Sequence, residues 1–400
     1  MTTLVLKILD SKNWIFLLMN KLLFTIIFIL YSSVSVLANP NIQARTGILM
    51  DFHSDEILFE LEPDQQIYPA SMTKIMTAIV AFDLIKKNKI SLDDKFSISE
   101  NAWRLSQAGY SSMFIMINDQ VTVENLLNGI IIASGNDACI ALAEGIAGSE
   151  ENFAQMMNEK AGEIGMTSTN FTNASGINDP DNISTVRDIA LMSKYLIKNY
   201  PEFYEIFKEK SFTWDRTGGE PIKQGNRNPL LYKNVGVDGV KTGYLAVEKY
   251  SLASSMKKKD RRVIAVMSGF ETKNLRSSES LKLLNWGFRN TNTFEISKAG
   301  ITNFEIDTWL GNKDNINAST KEDFYATISK KDIRHLTISL NYTGPIKAPV
   351  TKGDKVAELS IKKKDKIIKT LPLYASEDLT KVNFFKSLMT SMNYLIWGDV

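Results

Sequence analysis

The spacing of apolar residues changes texture several times along this chain. Two alternating runs, residues 45–51 and 57–62, flank the polar string His53-Ser54-Asp55-Glu56 and predict a β-hairpin. From Ser71 the interval lengthens, and Met72, Ile75, Met76, Ile79 and Val80 recur at helical spacing as far as about Asn88. A second helical region covers residues 123–147 and is interrupted at Ser134-Gly135-Asn136; residues 151–164 and 186–198 predict two more helices. After Asp238-Gly239 the pattern turns to β over residues 240–244, 250–256 and 262–270, and a helix over 276–288 follows. Hairpin, helices, strands and a final helix predict an α+β domain, an antiparallel sheet covered by helices.

Past residue 290 the texture shifts again. Short alternating stretches at 304–309, 324–328, 336–340, 355–361 and 366–371 are divided by turn residues, which predicts a small all-β domain. From Asn383 helical spacing returns, with Phe384, Phe385, Leu388, Met389, Met392, Leu395 and Ile396 along one face. The expected layout is a leader over 1–38, a main domain over 39–290, an all-β domain over 291–380 and an amphipathic helix over 383–400.

The leader is expected because Lys21 precedes the apolar run Leu22–Leu30, which ends in small residues at Val36-Leu37-Ala38. This is the plan of a secretory signal cleaved after Ala38, with Met1 or Met19 as its start. Formal net charge is only +2, and residues 1–38 carry all of it, so no electrostatic case exists for a nucleic-acid partner. Cys139 is the single cysteine, which excludes an intramolecular disulfide and predicts a buried, inert thiol.

Three short strings carry the candidate chemistry: Ser71-Met72-Thr73-Lys74, Ser134-Gly135-Asn136 and Lys241-Thr242-Gly243. A serine hydroxyl needs a base to become a nucleophile. The two histidines, His53 and His335, fall in a predicted turn and in the predicted β domain, and no G-x-S-x-G elbow is present, so a serine–histidine–acid triad has no local support. Ser71 and Lys74 lie three residues apart, on one face of a helix, which brings an amine beside the hydroxyl. Lys74 accepts a proton only when neutral, a form favoured by burial and by a neighbouring cation, for which Lys241 is the candidate. Ser134 is placed to relay a proton, Asn136 to donate an amide to a substrate carbonyl, and Gly243 to let another backbone approach the strand edge.

Taken together, S-x-x-K, S-x-N and K-T-G in this order resemble the penicillin-binding proteins, whose shared motif set they match. Longer strings sharpen the likeness: Pro69-Ala70-Ser71-Met72-Thr73-Lys74-Ile75-Met76-Thr77, Ser134-Gly135-Asn136-Asp137-Ala138-Cys139, residues 236–243 and Leu283-Leu284-Asn285-Trp286-Gly287-Phe288. From about Arg45 to the C-terminus the chain resembles low-molecular-mass penicillin-binding proteins of the penicillin-binding protein 5 and 6 type, serine D-alanyl-D-alanine carboxypeptidases. The resemblance implies a β-lactamase/transpeptidase-like main domain and acylation of Ser71 by the penultimate D-alanine of a peptidoglycan pentapeptide. It also implies covalent binding of β-lactam antibiotics and no cofactor or metal. Lys74 matches the base and Ser134 the relay. Asn136, Lys241, Thr242 and Gly243 match substrate-binding positions, with the N–H groups of Ser71 and Tyr244 as the oxyanion hole and Arg276 near the substrate carboxylate. The expected location is the periplasmic face of the cytoplasmic membrane, with the C-terminal helix on the membrane surface.

Three departures from the family pattern stand out: Leu245 in place of a threonine, Glu248-Lys249-Tyr250 in place of A-G-Y, and Ala174-Ser175-Gly176 in place of a histidine–glycine segment. The alternatives are a DD-endopeptidase, a β-lactamase-related hydrolase and a catalytically weak peptidoglycan-binding scaffold. Against the β-lactamase, no E-x-x-L-N segment follows Asn136; against the scaffold, all the chemistry-bearing residues are intact.

Overall fold

The computed structural model describes residues 40–398 apart from 178, 217–218, 303 and 364–365. The predicted leader, residues 1–38, lies outside the described residues. At the centre is a five-stranded antiparallel sheet in the order Ile57–Leu61, Thr46–Asp51, Arg261–Phe270, Lys249–Lys258 and Val237–Leu245. Its strands alternate faces, as the two-residue period of a strand requires. Ile48, Met50, Val240, Ala253, Ile264 and Val266 join one apolar core; Leu49, Leu252, Met256, Val263, Ala265 and Met267 join another on the opposite face.

The larger core is built on the helix Lys74–Lys86, whose residues from Lys74 to Phe82 are all buried. A helix buried on every side belongs at the middle of a fold, and helices Asn136–Ala147, Glu150–Ile164 and Val186–Asn199 contribute to the same core. The other face of the sheet is covered by the helix Lys273–Asn290 through Leu283 and Leu284. The α+β class and this layering agree with the sequence pattern.

Several details differ from the sequence expectation. Ser71 does not lie in an α-helix but in a tight 3₁₀ turn, Ala70–Thr73, which leads into the helix beginning at Lys74. In that tighter winding positions i and i+3 eclipse, which brings Ser71 and Lys74 closer in line. The substrate-strand candidate starts at Val237 rather than Val240. A helix at Glu100–Gln107 and small antiparallel pairs at Lys95–Ser97 with Gln120–Thr122 and at Ser211–Trp214 with Ile222–Gly225 have no counterpart in the expected elements.

Beyond residue 290, Thr291–Ser297 pairs with Phe324–Ser329, and a six-stranded sheet follows. This pair is tied to the main domain: buried Asp51 accepts from Arg261 Nε at 2.9 Å and from Thr293 Oγ1 at 2.5 Å, while Ser54 and Thr327 share a 2.6 Å hydrogen bond. In the six-stranded sheet, Lys363 lies across from Leu336 and Ala375 across from Ala318. The chain leaves the sheet through Leu379 and Lys381, and Asn383 caps the helix Phe384–Trp397.

Candidate active site

An open cleft of about 660 Å³ is lined by Ser71, Ser134, Asn136, Thr242, Gly243, Tyr244 and Arg276. Lys74 and Lys241 are buried beside it, 1% and 2% exposed. All the sequence-nominated residues therefore meet in one place, contributed by a 3₁₀ turn, the start of a helix, an edge strand and a covering helix.

Lys74 sits where three acceptors converge: its Nζ is 3.3 Å from Ser71 Oγ, 2.6 Å from Asn136 Oδ1 and 2.5 Å from the Ser175 carbonyl oxygen. Two of these, the amide and peptide oxygens, only accept; the serine hydroxyl also donates. A neutral amine has two N–H bonds and one lone pair. With both N–H bonds committed to Asn136 and Ser175, the lone pair is left for the Ser71 hydroxyl. Burial pushes Lys74 below the usual lysine range, which favours that neutral form.

Lys241 lies on the edge strand and donates to Ser134 Oγ at 2.9 Å. Burial pushes it well down, with the charge of Lys74 as the next cause. Sequence reasoning names burial, and Lys241 as a neighbouring cation, as what depresses Lys74. In the structure burial is the leading cause at both amines, and the charge of Lys74 adds to it at Lys241. Ser134 is bonded to Lys241, and Lys74 reaches Asn136.

Local backbone holds these groups in unusual positions. Ala70 and Ser134 adopt left-handed conformations, with φ of 49° and 62°, a state that costs a non-glycine residue on the order of 1 kcal/mol and concentrates at functional sites. Ser134 is reached through a π-helical turn, Gly129–Ala133, and a new helix starts at Asn136. Gly176, with φ of 75°, packs so closely that a Cβ there would stand 1.9 Å from the Ala70 carbonyl oxygen. The Ala174-Ser175-Gly176 segment thus braces the nucleophile's turn and supplies the Ser175 carbonyl to Lys74.

Two contributors were not legible as chemistry in the sequence. One is that backbone carbonyl. The other is Asp137, fully buried next to Asn136, whose carboxylate accepts from Ser112 Oγ at 2.6 Å and from the N–H groups of Met113 and Phe114, each at 2.8 Å. It fixes the wall that brings Tyr110 and Ser111 to the cleft. A buried Asp beside a motif offers no pattern that distinguishes it from a helix-start residue.

At the far end, Arg276 is 8% exposed, and its Nε is buried without a hydrogen-bond partner. Its guanidinium lies 5.6 Å from the Tyr250 ring centroid, and burial disfavours its charge. Exposed Arg227 and Lys273 add positive charge to the rim. Leu245 lines the same cleft, so its apolar side chain faces the space where the family pattern has a hydroxyl. Cys139 is buried with its thiol pushed up to about 12 by burial, a neutral core group. His53 bonds the Asp260 carbonyl oxygen, and neither histidine lines the cleft. Among the described residues no cluster of His, Cys, Asp or Glu suits a metal ion.

A family model described as D-alanyl-D-alanine carboxypeptidase matches residues 33–272, and one described as penicillin-binding protein 5, C-terminal domain, matches residues 292–381. The chain is 40% identical over 351 residues to the D-alanyl-D-alanine carboxypeptidase DacC of Escherichia coli (strain K12), covering 86% of each chain. It is 37% identical over 380 residues to DacA of Haemophilus influenzae, covering 92% of this chain and 95% of that one. Among solved structures, penicillin-binding protein 5 from Haemophilus influenzae superposes with a TM-score of 0.78 at 37% identity, over 86% of this chain and 99% of that one.

Proposed function

The chain belongs to the family of D-alanyl-D-alanine carboxypeptidases, and from that premise we propose that it removes the terminal D-alanine of peptidoglycan pentapeptides through an acyl-enzyme on Ser71. The chain is a serine-type hydrolase with a penicillin-binding function in cell-wall metabolism. The observation that carries the residue roles is the geometry at Lys74: two obligate acceptors hold its Nζ 3.3 Å from Ser71 Oγ, so that in the neutral form its lone pair is left for that hydroxyl.

In the proposed sequence, Lys74 takes the Ser71 proton while Oγ attacks the carbonyl carbon of the penultimate D-alanine. The oxyanion forms against the N–H groups of Ser71 and Tyr244, where preorganised donors are worth most. As the C–N bond breaks, Ser134 gives its hydroxyl proton to the departing amine and is recharged by Lys241, which already donates to it. Water then adds to the ester carbonyl carbon, its proton passing through Ser134 to the neutral Lys241, and as the C–Oγ bond breaks Lys74 returns its proton to Ser71 Oγ. Asn136 uses its Nδ2 amide on a substrate carbonyl, because its Oδ1 is taken by Lys74.

The substrate's free carboxylate lies toward Arg276, Thr242 and Lys241. Its arrival favours the protonated form of Lys241, and two neighbouring buried ammonium groups repel, so binding itself drives the proton from Lys74. A β-lactam acylates Ser71 by the same attack, and its ester is hydrolysed slowly.

The proposed location is the periplasmic face of the cytoplasmic membrane after export. Among the described residues no helix is long and apolar enough to cross a membrane. Helix Phe384–Trp397 has no buried residue, which supports a peripheral, in-plane anchor.

The test is Ser71→Ala. The variant is expected to lose both covalent labelling by a fluorescent penicillin and D-alanine release from a D-Ala-D-Ala peptide. Labelling that persists in S71A overturns the assignment.

A further inference from the structure

Glu248 is a buried carboxylate that the proposed chemistry does not use. It is 3% exposed and closes the turn after the substrate strand, its N–H donating to the Leu245 carbonyl oxygen at 3.1 Å. Its Oε2 accepts the Tyr68 N–H at 3.0 Å; its Oε1 accepts Ser268 Oγ at 2.5 Å and the Arg45 guanidinium. Ser268 shares a further 2.7 Å hydrogen bond with Ser251, the register partner of Gly243. On the other side, Tyr68 leads directly through Pro69 and Ala70 to Ser71. A Cβ at Gly243 would stand 3.0 Å from the Pro69 carbonyl oxygen. The carboxylate therefore fastens the nucleophile's segment to the substrate strand where the two come closest.

We infer that Glu248 is a positioning residue for acylation, holding the Ser71 segment against the Lys241-Thr242-Gly243 strand and so setting the gap that receives the scissile carbonyl. The inference rests on the proposed acylation of Ser71. All three partners of Glu248 are donors, so only an acceptor-only side chain satisfies them together. Glutamine has the same size but turns its NH₂ toward either Tyr68 or the Arg45–Ser268 pair. Misplacement of a reacting group by about 1 Å costs on the order of 100-fold in rate.

The test follows acylation of the full chain by a fluorescent penicillin in rapid-mixing experiments, reading the first-order rate constant and the labelled fraction separately. Glu248→Gln is expected to lower the rate constant by roughly 10–100-fold at an undiminished labelled fraction. Arg45→Ala, which frees one side of the carboxylate, should lower it less, and Arg45→Lys should restore most of the loss. A purely stabilising ion pair would instead lower the melting temperature or the labelled fraction and leave the rate constant per labelled site unchanged; that result overturns the inference. If E248Q does not fold, R45A and R45K decide alone, and R45A acylating at the wild-type rate constant overturns it. A wild-type chain that takes no label defeats the Ser71 assignment, and this inference with it. Normal wild-type labelling with an unchanged E248Q defeats only the inference.

Discussion

Nζ of Lys74 stands 2.6 Å from Oδ1 of Asn136, so the amide that marks the second motif is oriented by the lysine of the first. A neutral acceptor at that distance stabilises the amine without demanding a charge. Asn136→Asp puts a carboxylate there, and an opposite charge beside an amine favours its protonated form and raises its pKa. The fraction of neutral Lys74 at a given pH then falls. The acid limb of penicillin acylation against pH should move to higher pH in N136D, with the rate at neutral pH reduced and partly recovered in alkali. A rate–pH profile with an unmoved limb would contradict the role given to Lys74.

Asp137 makes a different prediction, about stability. Its carboxylate is surrounded by donors from the Ser112–Ile115 segment and from Ala138. Asp137→Asn keeps the shape but faces an NH₂ toward some of them, leaving buried donors unpaired at a cost of about 2–3 kcal/mol. Urea unfolding of D137N should show a loss of that size, and a loss below about 0.5 kcal/mol, the usual range for surface changes, would refute the hub.

How much of this was legible before the structure depends on what kind of group is involved. Ser71, Lys74, Ser134, Asn136 and Lys241 carry reactive side chains in short motifs, so sequence alone could nominate them. The Ser175 carbonyl could not be nominated, because every residue has one, and only the fold brings it to Lys74. Glu248 was visible as a departure from the family pattern, but its donors Arg45, Tyr68 and Ser268 are far away in sequence. The central helix was legible as a long apolar run with helical spacing, and the inner strands as shorter runs rich in β-branched residues. Strands Thr291–Ser297 and Asn315–Ser319 were not, since their residues are largely polar and neighbouring strands supply the partners. Helix Glu100–Gln107 buries only Ala102 and Ser106, too little to print a helical stripe.

The carboxylate role proposed for Arg276, with Leu245 beside it in the cleft, makes a prediction about ligand preference. Arg276 offers a planar fork matched to a carboxylate, held in a buried site with Nε unpaired. Arg276→Ala should reduce kcat/KM for peptides with a free terminal carboxylate more than for their amides or esters. Equal losses on both would remove the carboxylate role. Leu245→Thr, restoring a hydroxyl in the cleft, should raise turnover modestly, and steady-state kinetics on the same peptides would register no change if that contact is already supplied by Thr242 or the arginine.

The C-terminal helix has too much exposed apolar surface for a segment left in water. Phe384, Phe385, Leu395 and Trp397 are each at least 75% exposed, and Met389 and Ile396 exceed 60%. Packing of the helix on the all-β domain would be the alternative, but the ring contact of Trp309 with Tyr394 at 5.3 Å leaves no residue of the helix buried. Lys386, Ser387, Thr390, Ser391 and Asn393 interrupt the apolar run, which suits a helix lying in the interface rather than one crossing it. Positive charge is sparse there, Lys381 and Lys386 only, so attachment should rest on apolar burial and withstand moderate salt. The helix joins the six-stranded sheet through Val382, whose N–H donates to the Leu310 carbonyl oxygen at 3.0 Å, and no residue after Lys381 lines the cleft. Removing residues after Lys381 therefore cuts no contact of the cleft. The truncated chain should leave the membrane fraction, stay folded and acylate with penicillin at the full-length rate. A truncated chain that remains membrane-bound after export and signal cleavage, or that unfolds, would overturn the anchor reading.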